Sequence, residues 1–115
     1  MSQNAKIEAG LPMSLTSIMV RLGQNIRLAR KKRGLTMEDM AGRMFVTRKT
    51  LQRLEKGEVS VSLGVLASAL MILGLETDIE KLADPSTDSV GTILDKEKYA
   101  KHKRVRKKKS VDMDF

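Results

Sequence analysis

The chain has 115 residues, 22 of them Lys or Arg against 14 Asp or Glu, with a net charge of +8, one histidine, no cysteine and three aromatic residues. That describes one small basic domain with tails. The lack of cysteine excludes a disulfide framework and a thiolate zinc site and makes a reducing cytosol the expected compartment. The longest apolar stretch, residues 63–75, is broken by glycines and falls short of the roughly 20 residues of a membrane span; the N-terminus lacks the pattern of a secretory signal.

In chain order, residues 1–13 hold little apolar mass and read as a flexible arm. Ser14 or Thr16 is the expected cap of a first helix, in which Ile18, Met19, Leu22, Ile26 and Ala29 share one face at helical spacing. It is expected to end near Arg33, where four consecutive cations precede Gly34. Thr36, with an acid three places on at Asp39, has the form of a capping box for a short second helix with Met40, Ala41 and Met44 as its apolar stripe. Thr47 opens a third helix to about Lys56, closed by Gly57. Ser62 caps a fourth, Leu63–Leu73, stopped by Gly74, whose Leu63, Leu66, Ala67, Leu70 and Leu73 are expected to supply most of the core. A short fifth begins at Thr77 or Asp78 and runs through Leu82 to Asp84-Pro85. Beyond it, Val90, Ile93 and Leu94 suit a short amphipathic turn or a partner-binding segment. The expected class is all-α: a folded domain over 14–84, then linker and basic tail over 85–115.

Charge is unevenly spread. Residues 21–56 carry a net +8, 57–95 a net −6 and 96–109 again +8, which suggests one cationic element inside the fold and another on an unstructured tail. The tail has few apolar residues to insert into lipid, so the expected polyanion is nucleic acid and not a membrane.

On a helical wheel at about 100° per residue, Arg48, Lys49, Gln52, Arg53 and Lys56 gather on one side of the third helix and Thr50, Leu51 and Leu54 on the other. Arg and Lys can bond guanine O6 and N7, and Gln adenine N6 and N7, so these residue types suit base reading in a major groove. The short helix before it would then cross the phosphate backbone.

Residues 35–57, LTMEDMAGRMFVTRKTLQRLEKG, resemble the helix-turn-helix of the lambdoid repressor and Cro family, also called the xenobiotic-response-element family, through Ala41, Val46, Thr47, Leu51, Glu55 and Gly57. The likeness covers roughly residues 20–82 and implies a compact five-helix, lambda-repressor-like DNA-binding domain. It places Arg48, Lys49, Gln52 and Arg53 at base-reading positions, Thr36, Thr47 and Lys56 near phosphates, and Arg30 and Glu55 in a structural ion pair. Two residues depart from the pattern. Met37 stands where the family usually has a phosphate-contacting Gln. Phe45 stands where it usually has Gly, which implies either a backbone at positive φ or an altered turn.

The following segment, GLETDIEKLADPSTDSVGTILD and a Lys/Arg cluster, is similar to the C-terminal part of HipB-like antitoxins. This resemblance implies a homodimer on a palindromic double-stranded operator, autoregulation, and a complex with a HipA-type serine/threonine kinase toxin, in a cytoplasmic, nucleoid-associated setting. The alternative is a plain phage-type or metabolic repressor of the same fold. For the basic tail, with Lys101, Lys103, Arg104, Arg106, Lys107, Lys108 and Lys109, three readings stand: a clamp on phosphates, a dock for an acidic partner, or a solvated segment. Apolar residues left for a dimer interface are Phe45, Val59, Val61, Leu75, Ile79 and Ile93.

Catalytic material is scarce. His102 lies between Lys101 and Lys103 in the tail, no cysteine nucleophile exists, and the glycines form no phosphate-cradling loop. The expectation is a binding protein with no catalytic residues, metal or cofactor. An RNA-binding chaperone would suit the tail, but Phe45, Tyr99 and Phe115 make no stacking platform.

Overall fold

The computed structural model of the protein describes residues 10–109, of 104–109 the backbone alone. Among them are six helices and no strand: α1 Met13–Lys32, α2 Met37–Met44, α3 Arg48–Glu55, α4 Leu63–Leu73, α5 Thr77–Glu80 and α6 Ser89–Lys109. The chain divides into two units, Met1–Ile79 and Glu80–Phe115. The expected arm falls mostly on residues 1–9, and the tail end on 110–115, both outside the described residues.

Local chemistry sets the boundaries of the central helices. The Thr36 hydroxyl accepts from the Asp39 amide at 3.0 Å while the Asp39 carboxylate accepts from the Thr36 amide at 3.4 Å, closing the capping box of α2. Thr47 accepts from the Thr50 amide at 3.1 Å and Ser62 from the Val65 amide at 3.1 Å, capping α3 and α4. Gly34, Gly57 and Gly74 all take positive φ where α1, α3 and α4 end, a conformation that is cheap without a Cβ.

In the first unit α1 packs on α3 and α4, and α2 packs on the same two helices. Ile26, Met40, Ala41, Met44, Leu51, Leu54, Ala69, Leu70 and Leu73 form the buried core, with Met40, Leu51 and Ala69 sealed from solvent. At Gly23 a Cβ would stand 2.5 Å from the Glu55 carbonyl oxygen, and at Gly57 one would stand 2.5 Å from that of Met19. The absence of both side chains lets the backbone of α1 cross directly over the end of α3.

Several expectations are corrected. Helix α1 starts at Met13 behind Pro12, with no side-chain cap from Ser14 or Thr16. A 20-residue helix is about 30 Å long, more than its shorter partners cover, so Ile18 on the core-facing side stays exposed, as do Met13 and Leu15. Leu63, expected in the core, is exposed at the start of α4. Helix α5 stops at Glu80, short of Leu82, and Ala83 adopts a left-handed φ of 56°. The amide and hydroxyl of Ser86 donate to Asp84 in the turn that follows, holding its carboxyl below its ordinary value. The apolar residues named for a dimer interface keep accessible surface: Phe45 and Ile93 are exposed, and Val61, Leu75 and Ile79 are partly buried against the core.

The largest difference is α6. In place of a short turn and an unstructured basic tail, 21 residues form one helix. Asp88 caps it by accepting from the Gly91 amide at 2.9 Å, and the Lys, Arg, Glu and Ala that follow favour helix wherever like-charge repulsion is tolerable. Its Val90, Ile93, Leu94 and Tyr99 side chains are exposed.

Candidate nucleic-acid interface

Helix α3 is two turns long and two-sided. Leu51, Leu54 and Glu55 are buried, while Arg48, Lys49, Gln52 and the adjoining Lys56 are exposed and Arg53 is half-buried at the edge of that face. One residue of α1 fixes how the helix is presented. Arg30 donates from Nε to Glu55 Oε2 at 2.7 Å and from Nη2 to Glu55 Oε1 at 3.1 Å, and its Nη1 donates to the Leu35 carbonyl at 2.9 Å. This two-point contact, with both side chains almost fully buried, ties the end of α1, the loop before α2 and the last turn of α3 together. A planar fork held by three bonds to two partners resists rotation in a way that a point charge does not. Among the described residues no buried side-chain nitrogen or oxygen is left without a partner.

The cationic residues of the exposed face differ in what holds them. Arg48 meets Glu38, from the first turn of α2, at 2.8 Å with both side chains about two-thirds exposed, a pair that solvent largely screens. Lys49, Gln52 and Lys56 project without side-chain hydrogen bonds among the described residues. Arg53 is engaged at two nitrogens: Nε donates to Glu58 Oε1 at 2.9 Å and Nη2 to Ser60 Oγ at 2.7 Å. Nothing in residue type or helical spacing announced Glu58 and Ser60, because their approach depends on the path of the loop after Gly57.

Thr36 and Thr47, placed near phosphates by the resemblance, serve first as helix caps, and the Thr47 and Thr50 hydroxyls lie 3.0 Å apart. Met37 is half-buried and packed on the core, so the second position of α2 contributes apolar contact. It also lines a concavity of about 310 Å³ with Arg27, Arg30, Gln52, Glu55 and Lys56. Arg27 and Lys56, both exposed, bring two cations to its rim. Phe45 takes φ 59° and ψ 39°, the left-handed conformation, at the end of α2, and its ring is 95% exposed. The turn therefore keeps the path a glycine would give it, at the cost of strain.

In the second unit Lys96, Lys98, Lys101, His102 and Lys103 are exposed on α6. Residues 104–109 continue the helix backbone.

No group of histidine, cysteine, aspartate and glutamate among the described residues is arranged to hold a metal ion, and none of their helices is long and apolar enough to cross a membrane. A family model described as a helix-turn-helix domain matches residues 21–83, more than half of the chain. Neither curated proteins nor solved structures offer a significant match.

Proposed function

The chain belongs to the helix-turn-helix domain family, a family of DNA-binding transcription regulators, and on that premise we propose that it is a sequence-specific repressor acting on a palindromic double-stranded operator as a homodimer. Arg48, Lys49, Gln52 and Arg53 read base edges in the major groove, while Thr36, Thr47 and Lys56 meet the flanking phosphates. The observation that carries this reading is the outward face of α3: four side chains suited to base acceptors and donors on a two-turn helix whose last turn is bolted to α1 through Arg30 and Glu55. The capping hydroxyls of Thr36 and Thr47 can still donate to a phosphate, and the two cations beside Met37 supply charge where the usual amide is missing. On α6, the +8 carried by residues 96–109 adds a second contact with the phosphate backbone.

A two-turn helix spans only a few base pairs, so specificity calls for two copies about one helical turn of DNA apart, roughly 34 Å. Selection from randomised duplexes is expected to enrich an inverted repeat with half-sites at that spacing. Enrichment of no sequence would overturn the proposal.

We propose further that the regulator is the antitoxin of a toxin-antitoxin operon that it represses itself, with a HipA-type kinase as partner. Support comes from the similarity of residues 74–95 and the basic segment after them to HipB-like antitoxins. Purification from the native host after nuclease treatment tests it: a stoichiometric kinase is the expected companion, and recovery of the chain with no protein partner returns the reading to a plain repressor.

A further inference from the structure

We infer that Glu58 and Ser60, in the loop after α3, are positioning residues that set the specificity of one base contact by holding the Arg53 guanidinium in a fixed orientation; this rests on the DNA-reading role proposed above. An arginine side chain carries five N–H donors on a rigid planar fork. In Arg53 the edge formed by Nε and one hydrogen of Nη2 is spent on Glu58 at 2.9 Å and Ser60 at 2.7 Å. The adjoining end-on edge, one N–H from each terminal nitrogen, bonds nothing among the described residues. That is the pair of parallel donors that matches O6 and N7 of guanine. A free arginine on the same helix would divide its time among rotamers and could settle on any phosphate. Held at Nε, it offers one edge in one direction.

The clamp stands on rigid backbone. The Glu58 amide donates to the Arg53 carbonyl at 3.1 Å and the Val61 amide to the Glu58 carbonyl at 3.3 Å. Gly57, immediately before, lies so close to α1 that a Cβ would meet the Met19 carbonyl and the Val20 Cα. Arg53 and Glu58 side chains are each about 30% exposed, reachable by a ligand yet packed enough to keep their geometry. The Glu58 carboxylate has a second effect, because a negative charge next to the guanidinium repels phosphate. It thereby weakens binding to DNA of arbitrary sequence while leaving a neutral base edge acceptable.

The test uses the full chain and the duplex that wild-type protein selects from a randomised library, together with its set of single base-pair substitutions and a scrambled duplex. Arg53→Ala identifies the base pair at which discrimination disappears. Glu58→Ala is expected to lose discrimination at that same pair and at no other, by about fivefold or more, the lower end of what a bidentate base contact provides, with affinity for the scrambled duplex unchanged or raised. Glu58→Gln keeps an oxygen acceptor for Nε without the charge, so it is expected to retain the base preference while binding the scrambled duplex more tightly. Ser60→Ala should give a smaller loss at the same pair. A Glu58→Ala protein that loses equal affinity on every duplex, or keeps full discrimination at the Arg53 pair, overturns the inference. A wild-type chain that selects no sequence overturns it together with the reading on which it rests.

Discussion

Arg30 and Glu55 form the contact on which the presentation of α3 depends, and a single substitution is enough to break it. Arg30→Met would leave the Glu55 carboxylate buried without a partner and is expected to cost about 3 to 5 kcal/mol, a large share of what so small a domain has to lose. Urea denaturation measures it, and a loss below 1 kcal/mol would mean that water reaches the site. Phe45 presents the opposite case. Its left-handed backbone costs a side-chain-bearing residue roughly 1 kcal/mol, and a ring that is 95% exposed gives little back within one chain. Phe45→Gly is therefore expected to leave stability unchanged or raise it by up to about 0.5 kcal/mol, the larger freedom of glycine in the unfolded chain offsetting part of the gain. A clear destabilisation that depends on protein concentration would show the ring buried between two copies. On the role proposed for Arg48, Glu38 would compete with DNA for its guanidinium through a solvent-exposed pair, so Glu38→Gln should tighten binding to any duplex by up to about fivefold, in keeping with the 0 to 1 kcal/mol of such pairs. Unchanged affinity would mean that Arg48 already leaves Glu38 without cost.

At the scale of helices, the crossing of α1 over the end of α3 is governed by two missing side chains. Gly23→Ala would put a methyl carbon 2.5 Å from the Glu55 carbonyl oxygen and 2.7 Å from the Gly57 amide nitrogen. Backbone cannot swing aside as a side chain does, so the expected cost is about 2 kcal/mol or more, read as a lower denaturation midpoint. Stability equal to wild type would mean that α1 shifts along its axis at no cost. Thr36, Thr47, Ser62 and the glycines that end α1, α3 and α4 were legible in the sequence because caps and stops are local: each needs only neighbours within a few positions. The core positions of α2 and α3 were legible for a similar reason, since helical spacing states which residues share a face. The start of α1 and the exposure of Leu63 were not, because spacing gives the direction of a side chain and not whether another element arrives to cover it. Arg53 shows the same limit within the candidate site. Its wheel position put it beside Lys49, but Glu58 and Ser60 reach it only through the course of the loop. In α6 a dense run of cations suggested an unstructured tail, whereas the Asp88 cap and strong helix formers such as Lys, Glu and Ala carried the helix through it.

For the whole molecule, one cationic block runs from α1 through α3 and includes the exposed face of α3, and a second lies on α6 after an acidic stretch. If both meet DNA, truncation after Asp95 should leave the base preferences of α3 intact while lowering affinity for every duplex and flattening its salt dependence, by about 0.9 in the slope of log K against log salt for every phosphate that α6 no longer neutralises. An unchanged slope would exclude the C-terminal helix from the complex. Sequence reading by α3 is tested by comparing wild type, Arg48→Ala and Gln52→Ala on the selected duplex and on a scrambled one at a single salt concentration. Each substitution is expected to cost about 1 to 3 kcal/mol on the selected duplex, to cost much less on the scrambled one, and to relax preference at one base pair. Equal losses on both duplexes would reduce the face of α3 to a phosphate-binding surface that does not read sequence.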